Sequence, residues 1–182
     1  MKNVLLVILL VTFIGLSVLL IKTYIDIRNA KGYINFVTDS ANNVLLKLTE
    51  INKSLNEFEF NENGENDLTD IESKLSGLKE SYNNISNLKT NYKIPYGAEE
   101  VNNEFNNYLD SLDDLVKSHE ELVISVKNLE KKEDFEIKLE QYINYSNEVQ
   151  MKSETLEEKL SEYVQNYNKF DFNTLINGIK FI

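Results

Sequence analysis

Apolar residues are laid out along this chain in two patterns. From Val4 to Ile21 the run VLLVILLVTFIGLSVLLI has no charge and no helical or strand periodicity. Its eighteen residues would reach about 27 Å as a helix, close to the roughly 30 Å hydrocarbon core of a bilayer. Thr12 and Ser17 can return their hydroxyls to the helix backbone, and Gly15 is tolerated in a spanning helix. Lys2 and Lys22 flank the run, and Tyr24 follows at the depth where interfacial aromatics gather. The pattern predicts a single transmembrane signal anchor over 1–26. A cleaved signal peptide is the competing reading. That would need an apolar stretch of about 7–15 residues and then a small-residue cleavage site. The one candidate, Gly15-Leu16-Ser17, is followed by four further apolar residues.

From Ile27 onward the apolar positions alternate at steps of three and four, the period of one helix face. The first stripe is Ile27, Ala30, Ile34, Val37, Ala41, Val44, Leu48, Ile51, Leu55 and Phe58. It starts so soon after the anchor that one unbroken helix should carry both, with Gly32 the weak point of the join. Asn61 to Asn66 stop the pattern; Thr69 with Glu72 resembles a capping box, and Asp67 is an equally good cap. The second stripe is Leu68, Ile71, Leu75, Leu78, Tyr82, Ile85, Leu88 and Tyr92, ended by Pro95 and Gly97. The third is Val101, Phe105, Tyr108, Leu112, Leu115, His119, Leu122, Val126 and Leu129. The register breaks at Glu130 to Asp134 without glycine or proline, which leaves a turn and a bent continuous helix both open. The fourth is Phe135, Leu139, Tyr142, Ser146, Val149, Ser153, Leu156, Leu160, Tyr163, Tyr167 and Phe170. Four amphipathic helices on short links, with no strand-like alternation, predict an all-α fold. The expected architecture is an antiparallel up-down-up-down four-helix bundle of long, coiled-coil-like helices over 27–170, with an apolar tail over 171–182.

That topology has a polarity. If helix 1 leaves the membrane, the start of helix 1, the link between helices 2 and 3, and the C-terminus should gather at the membrane end. The link, Lys89 to Tyr96, is basic and aromatic, whereas the opposite turns are acidic. In the tail, Phe172, Leu175, Ile176 and Ile179 recur at helical spacing. Tyr92, Lys93, Tyr96, Phe172, Ile176 and Ile179 are therefore candidates for a reversible membrane-surface contact; packing of the tail across the open end of the bundle is the alternative. The amino terminus and Lys2 on one side nearly balance Lys22, Arg28 and Lys31 on the other. A short basic N-region directly before the apolar run favours a single-pass cell-membrane protein with its body on the extracytoplasmic side.

Composition narrows the chemistry. The net charge of −11 repels phosphate backbones and argues against nucleic acid as a partner. Zero cysteine removes disulfides, thiolate metal sites and cysteine nucleophiles. One proline and six glycines among 182 residues suit long helices rather than many turns. His119 is the one histidine; it lies on the third stripe, level with Ser146 on the fourth, and the two could form a small polar core site for a ligand or a pH response. A di-iron centre is excluded, since Glu-x-x-His is needed on two helices and position 116 is valine. Nothing resembles a nucleophile turn or an oxyanion hole, so no catalytic residue and no cofactor is expected. The first turn nearly matches a calcium loop: Glu59, Asn61, Asn63, Gly64, Glu65, Asp67 and Asp70 occupy its positions 1, 3, 5, 6, 7, 9 and 12. Glu at the first position and Asp at the last depart from that loop, and no metal is expected. The triplets at Asn52, Asn84 and Asn144 fit glycosylation acceptors but fall on expected helices.

The layout, one N-terminal anchor and an acidic all-helical body with an apolar tail, resembles that of the bacterial LemA family in architecture. Tyr167-Asn168 and Phe172-Asn173-Thr174-Leu175-Ile176 are similar to that family's end, but its Phe-Pro before the asparagine is absent and the first helix does not match. Two function classes follow. One is a membrane-anchored, non-catalytic bundle that binds another protein or organises the cell envelope. The other is a ligand-binding or sensor-like bundle with a polar pocket near His119.

Overall fold

The computed structural model describes the backbone of residues 2–61, 67–128 and 132–179, and the side chains of 13–166 among them. Within these residues every regular element is a helix: α1 (Lys2–Glu57), α2 (Thr69–Lys89), α3 (Glu99–Lys127) and α4 (Lys132–Ile179). The expected all-α class is observed. α1 passes from the apolar run into the first stripe without interruption, as the closeness of the two patterns implied. α3 ends at Lys127 and a separate α4 begins at Lys132, so two helices rather than one bent rod occupy this region. α4 runs on to Ile179, which makes most of the expected tail the continuation of a helix.

Cross-links between elements give the directions. Lys74 on the first turns of α2 meets Ser54 near the end of α1, and Glu72 pairs with Lys127 at the end of α3. Tyr142 early in α4 donates to Asn52 late in α1 (2.9 Å). Lys159 late in α4 pairs with Glu100 at the start of α3 (3.5 Å). Tyr33 on α1 donates to Asn102 on α3 (3.3 Å). Neighbours in sequence thus run antiparallel, and α1 and α3 run in the same direction. α2 and α3, at 21 and 29 residues, are only about 32 and 44 Å long. The four-helix section therefore occupies just the stretch of α1 from about Ala30 to Phe58, and both α1 and α4 extend past it at the same end.

The core is built from the expected stripes. Val37, Val44, Ile51, Leu78, Phe105, Leu112, Leu115 and Val149 are completely buried; fully burying such a side chain stabilises by about 1.5–3 kcal/mol each. α3 is the most enclosed helix. Beside its stripe it buries Leu109, Val116 and Val123 on one flank and Ser111, Ser118 and Ser125 on the other. Ser111 and Ser125 return their hydroxyls to the carbonyls of Tyr108 and Leu122, so small polar residues enter the interior without a lost hydrogen bond. Two stripes depart from expectation at their ends. In α1 the buried residues near the helix 2–3 link are Tyr33 and Phe36, with Ile34 only half-buried. In α2, Leu88 (49% exposed) and Tyr92 (38%) leave the core, because the helix stops at Lys89.

Among the described residues no helix is long and apolar enough to cross a membrane. The side chains of residues 1–12, half of the expected anchor, lie outside that description. Of those that are described, Phe13, Ile14, Val18, Leu19, Leu20, Ile21 and Ile25 are each about half or more exposed.

Candidate functional site

Three places carry the candidate residues, and the first is the middle of the bundle. His119 is fully buried on α3. Its ring meets the ring of Tyr142 edge to face, with centroids 5.0 Å apart, and neither Nδ1 nor Nε2 has a hydrogen-bond partner. Burial pulls its pKa down to about 4, with Glu120 acting weakly in the opposite direction. The imidazole is therefore neutral near pH 7. Ser146 lies nearby but belongs to a different network. Tyr142 donates its hydroxyl to Oδ1 of Asn52 (2.9 Å), and Nδ2 of Asn52 donates to the Ser146 hydroxyl (3.5 Å). The two residues are brought to one level of the bundle and share Tyr142 as a neighbour, but no hydrogen bond joins them. Asn52 is the hub, and it was missed as a core group. The signal available was its place beside Ile51, on the flank of the first stripe.

A second buried hydroxyl is also unmatched. Tyr108 is fully buried with no partner for its oxygen, and burial raises its pKa. A partly open gap in the described core measures about 10 Å³, is lined by apolar side chains including Leu55, Leu68, Leu122 and Phe135, and could hold one water at most.

The second place is the turn between α1 and α2. Asn63, Gly64 and Glu65 of the calcium-loop match lie outside the described residues. The described members have other occupations. Asp67, one residue before the Leu68 N-cap position of α2, accepts the backbone N–H of Thr69 (3.0 Å); this bond, foremost, lowers its pKa. The Glu72 carboxylate reaches Lys127 instead of turning back as a capping box would. Asp70 accepts from Lys74 (2.7 Å) and from Ser54 (2.6 Å), and these two bonds lower its pKa. Glu59 and Asn61 are exposed. Among the described residues no group of three acidic, histidine or cysteine side chains is placed to hold a metal ion.

The third place is the end of the bundle where α1 enters, the α2–α3 link turns and α4 passes. Phe36 stacks on Tyr92 at 4.4 Å and meets Phe105 edge-on at 5.7 Å. Tyr163 of α4 donates to the Tyr96 carbonyl (3.4 Å). Tyr33 is pushed up to about 12, first by burial and then by Tyr163. Pro95 is buried and Gly97 takes φ +78°, so the link folds against the bundle while Lys93, Ile94 (49%) and Tyr96 (86%) stay exposed. The start of the bundle section, the link and α4 are thus adjacent, as the topology required. The side chains of Phe172, Ile176 and Ile179 lie outside the described residues.

No protein-family model, no curated protein and no solved structure matches this chain.

Proposed function

We propose that this protein is a single-pass membrane protein with a non-catalytic helical bundle on the extracytoplasmic side, acting as an interaction or scaffold module for another protein of the cell envelope. One observation carries the membrane part. The described apolar side chains from Phe13 to Ile25 are exposed around the whole of α1, and the same helix continues without a break into the packed stripe. A helix that is apolar on every side needs an apolar surrounding, and among the described residues no element of the bundle supplies one. The interaction part is supported by what the body has and lacks. Its core is packed around an apolar gap too small for a ligand. Ile124, Ile137 and Met151 are instead turned outward on α3 and α4, each more than half exposed. The ligand-binding alternative centred on His119 and Ser146 would need a polar cavity, and the imidazole is sealed against Tyr142.

Alkaline carbonate extraction tests the anchor. The full chain should stay with the membrane pellet, and a Leu10→Arg/Ile14→Arg variant should move to the supernatant, because each arginine near mid-bilayer costs about 2.5–3.5 kcal/mol on the insertion scale. Release of the unaltered chain by carbonate would sink the reading. Co-purification from a detergent extract then addresses the body, where a monodisperse lone protein would count against a partner.

A further inference from the structure

We propose, resting on the interaction reading above, that the α2–α3 link and the part of α1 against it form the docking face of the body. What docks there is an acidic segment of another protein, with apolar side chains among its carboxylates. Two stretches of chain meet at this face: Phe36 stacks on Tyr92, and the same ring is the nearest side chain to Gly32. Residues 27–38 and 81–98, which these contacts bring together, hold Arg28, Lys31, Lys89 and Lys93 and no aspartate or glutamate. They form a basic island on a chain of net charge −11. Arg28, Lys31 and Lys93 are exposed, and among the described residues no carboxylate pairs with them. Lys89 bonds to the neutral amide of Asn106, so its charge is uncompensated too.

The island is also where exposed apolar surface gathers. Leu88 (49%), Ile94 (49%) and Tyr96 (86%) lie within nine residues of chain. Ile137 and Met151 on α4, by contrast, are fourteen residues apart, about 21 Å of helix. Tyrosine and arginine beside aliphatic side chains are the residues that carry binding energy at protein interfaces. The face is held in shape before anything binds. Tyr92 is stacked, Pro95 is buried and the Tyr96 carbonyl accepts from Tyr163, so little ordering cost is left to the docking step.

Shape favours a protein segment over a lipid surface. Lys74 meets Ser54 and Tyr92 meets Phe36, so Leu88, between Lys74 and Tyr92, is level with about Ser40 of antiparallel α1. From Arg28 to that level is twelve residues, about 18 Å along the bundle, with Asp39 bounding the island at its far end. A headgroup layer is about 5–7 Å deep on each side of the hydrocarbon. On the anchored reading, lipid would cover only one end of a face this long, whereas an extended segment lying along it covers the whole. The rest of the acidic body repels an acidic partner, so the charge that holds the segment here also decides where it lands.

The chain contains no tryptophan, so Tyr96→Trp places a single reporter on the face. The full chain carrying it would be reconstituted in phosphatidylcholine vesicles and titrated with a short peptide alternating glutamate and leucine. The lysine–leucine peptide is the control. The expected result is a saturable blue shift of tryptophan emission with the acidic peptide only, weakened by added salt. Arg28→Glu/Lys31→Glu/Lys93→Glu should weaken the binding by about tenfold or more. Lys53→Glu/Lys132→Glu/Lys138→Glu makes the same change of net charge at the opposite end of the bundle and should weaken it far less. No shift with the acidic peptide, an equal shift with the basic one, or equal weakening by the two triple variants overturns the proposal. A blue shift on replacing phosphatidylcholine by phosphatidylglycerol, without peptide, also overturns it, because the face then belongs to lipid. If the peptide fails while a partner still co-purifies from detergent extract, the interaction reading stands on another surface; if the protein is also monodisperse and alone, that reading falls as well.

Discussion

A neutral imidazole has one N–H and one lone pair, and at His119 neither meets a partner. A buried polar group left unpaired costs about 1–3 kcal/mol, so His119→Leu, which keeps roughly the same volume, should stabilise the bundle by about that amount at pH 7. The protonation equilibrium adds a signature. The folded-state pKa lies near 4 against an ordinary value of 6.5. Between those values the unfolded chain binds a proton that the folded chain does not, so this contribution is complete above pH 6.5 and is lost as pH falls toward 4. A displacement of that size is worth on the order of 3 kcal/mol. Urea unfolding of the detergent-solubilised protein at pH 7 and pH 5 should show a loss in the unaltered chain that shrinks in His119→Leu. The carboxylates of Asp67 and Asp70, with lowered pKa values, lose their contributions at the acid end too. They do so equally in both proteins, so the difference isolates the histidine. An identical pH response would mean that the imidazole is not sealed.

At the scale of the helices, two glycines make opposite predictions. Gly32 lies within α1, and a methyl group there would meet only Tyr92, at 4.0 Å. Gly32→Ala should therefore add about 0.5–1 kcal/mol of stability from helix propensity. Gly97 has φ +78° just before α3, a conformation costing a residue with a side chain about 1–2 kcal/mol, so Gly97→Ala should destabilise. Thermal melts followed by circular dichroism would reverse the order if the join in α1 were open rather than helical. The helices themselves were legible because steps of three and four run through all four stripes. What was not legible arises where elements meet. Ile34 is the more apolar choice beside Tyr33, yet Tyr33 is buried because its ring lies against α3 and its hydroxyl finds Asn102. Ser111, Ser118 and Ser125 read as polar positions and are buried because α3 is enclosed on three sides. Their seven-residue spacing was a signal that a single-stripe reading passes over. No hydrogen bond joins His119 to Ser146 for a similar reason: equal height does not say which way a hydroxyl turns, and Asn52 reaches that hydroxyl.

On the scale of the whole molecule, the four-helix section is short and two of its helices overhang it at one end. The short members, α2 and α3, complete the core, while α1 and α4 set the distance between that core and the apolar run. An unbroken α1 also fixes rotational phase, since each residue of helix turns the chain by about 100°. Adding one alanine between Asp26 and Ile27 would swing the entire body through about that angle relative to its stem, and adding seven would nearly restore its heading. The chain has no cysteine of its own, so nitroxide labels at Ile21→Cys and Lys79→Cys can read this directly. A narrow separation that shifts with one added residue is expected; a broad one indifferent to the insertion would reveal a swivel. On the anchored reading proposed above, a rigid shaft would let the seating of the stem in the lipid choose which side of the body is offered to a neighbour, and a twist of that stem would carry to the far end.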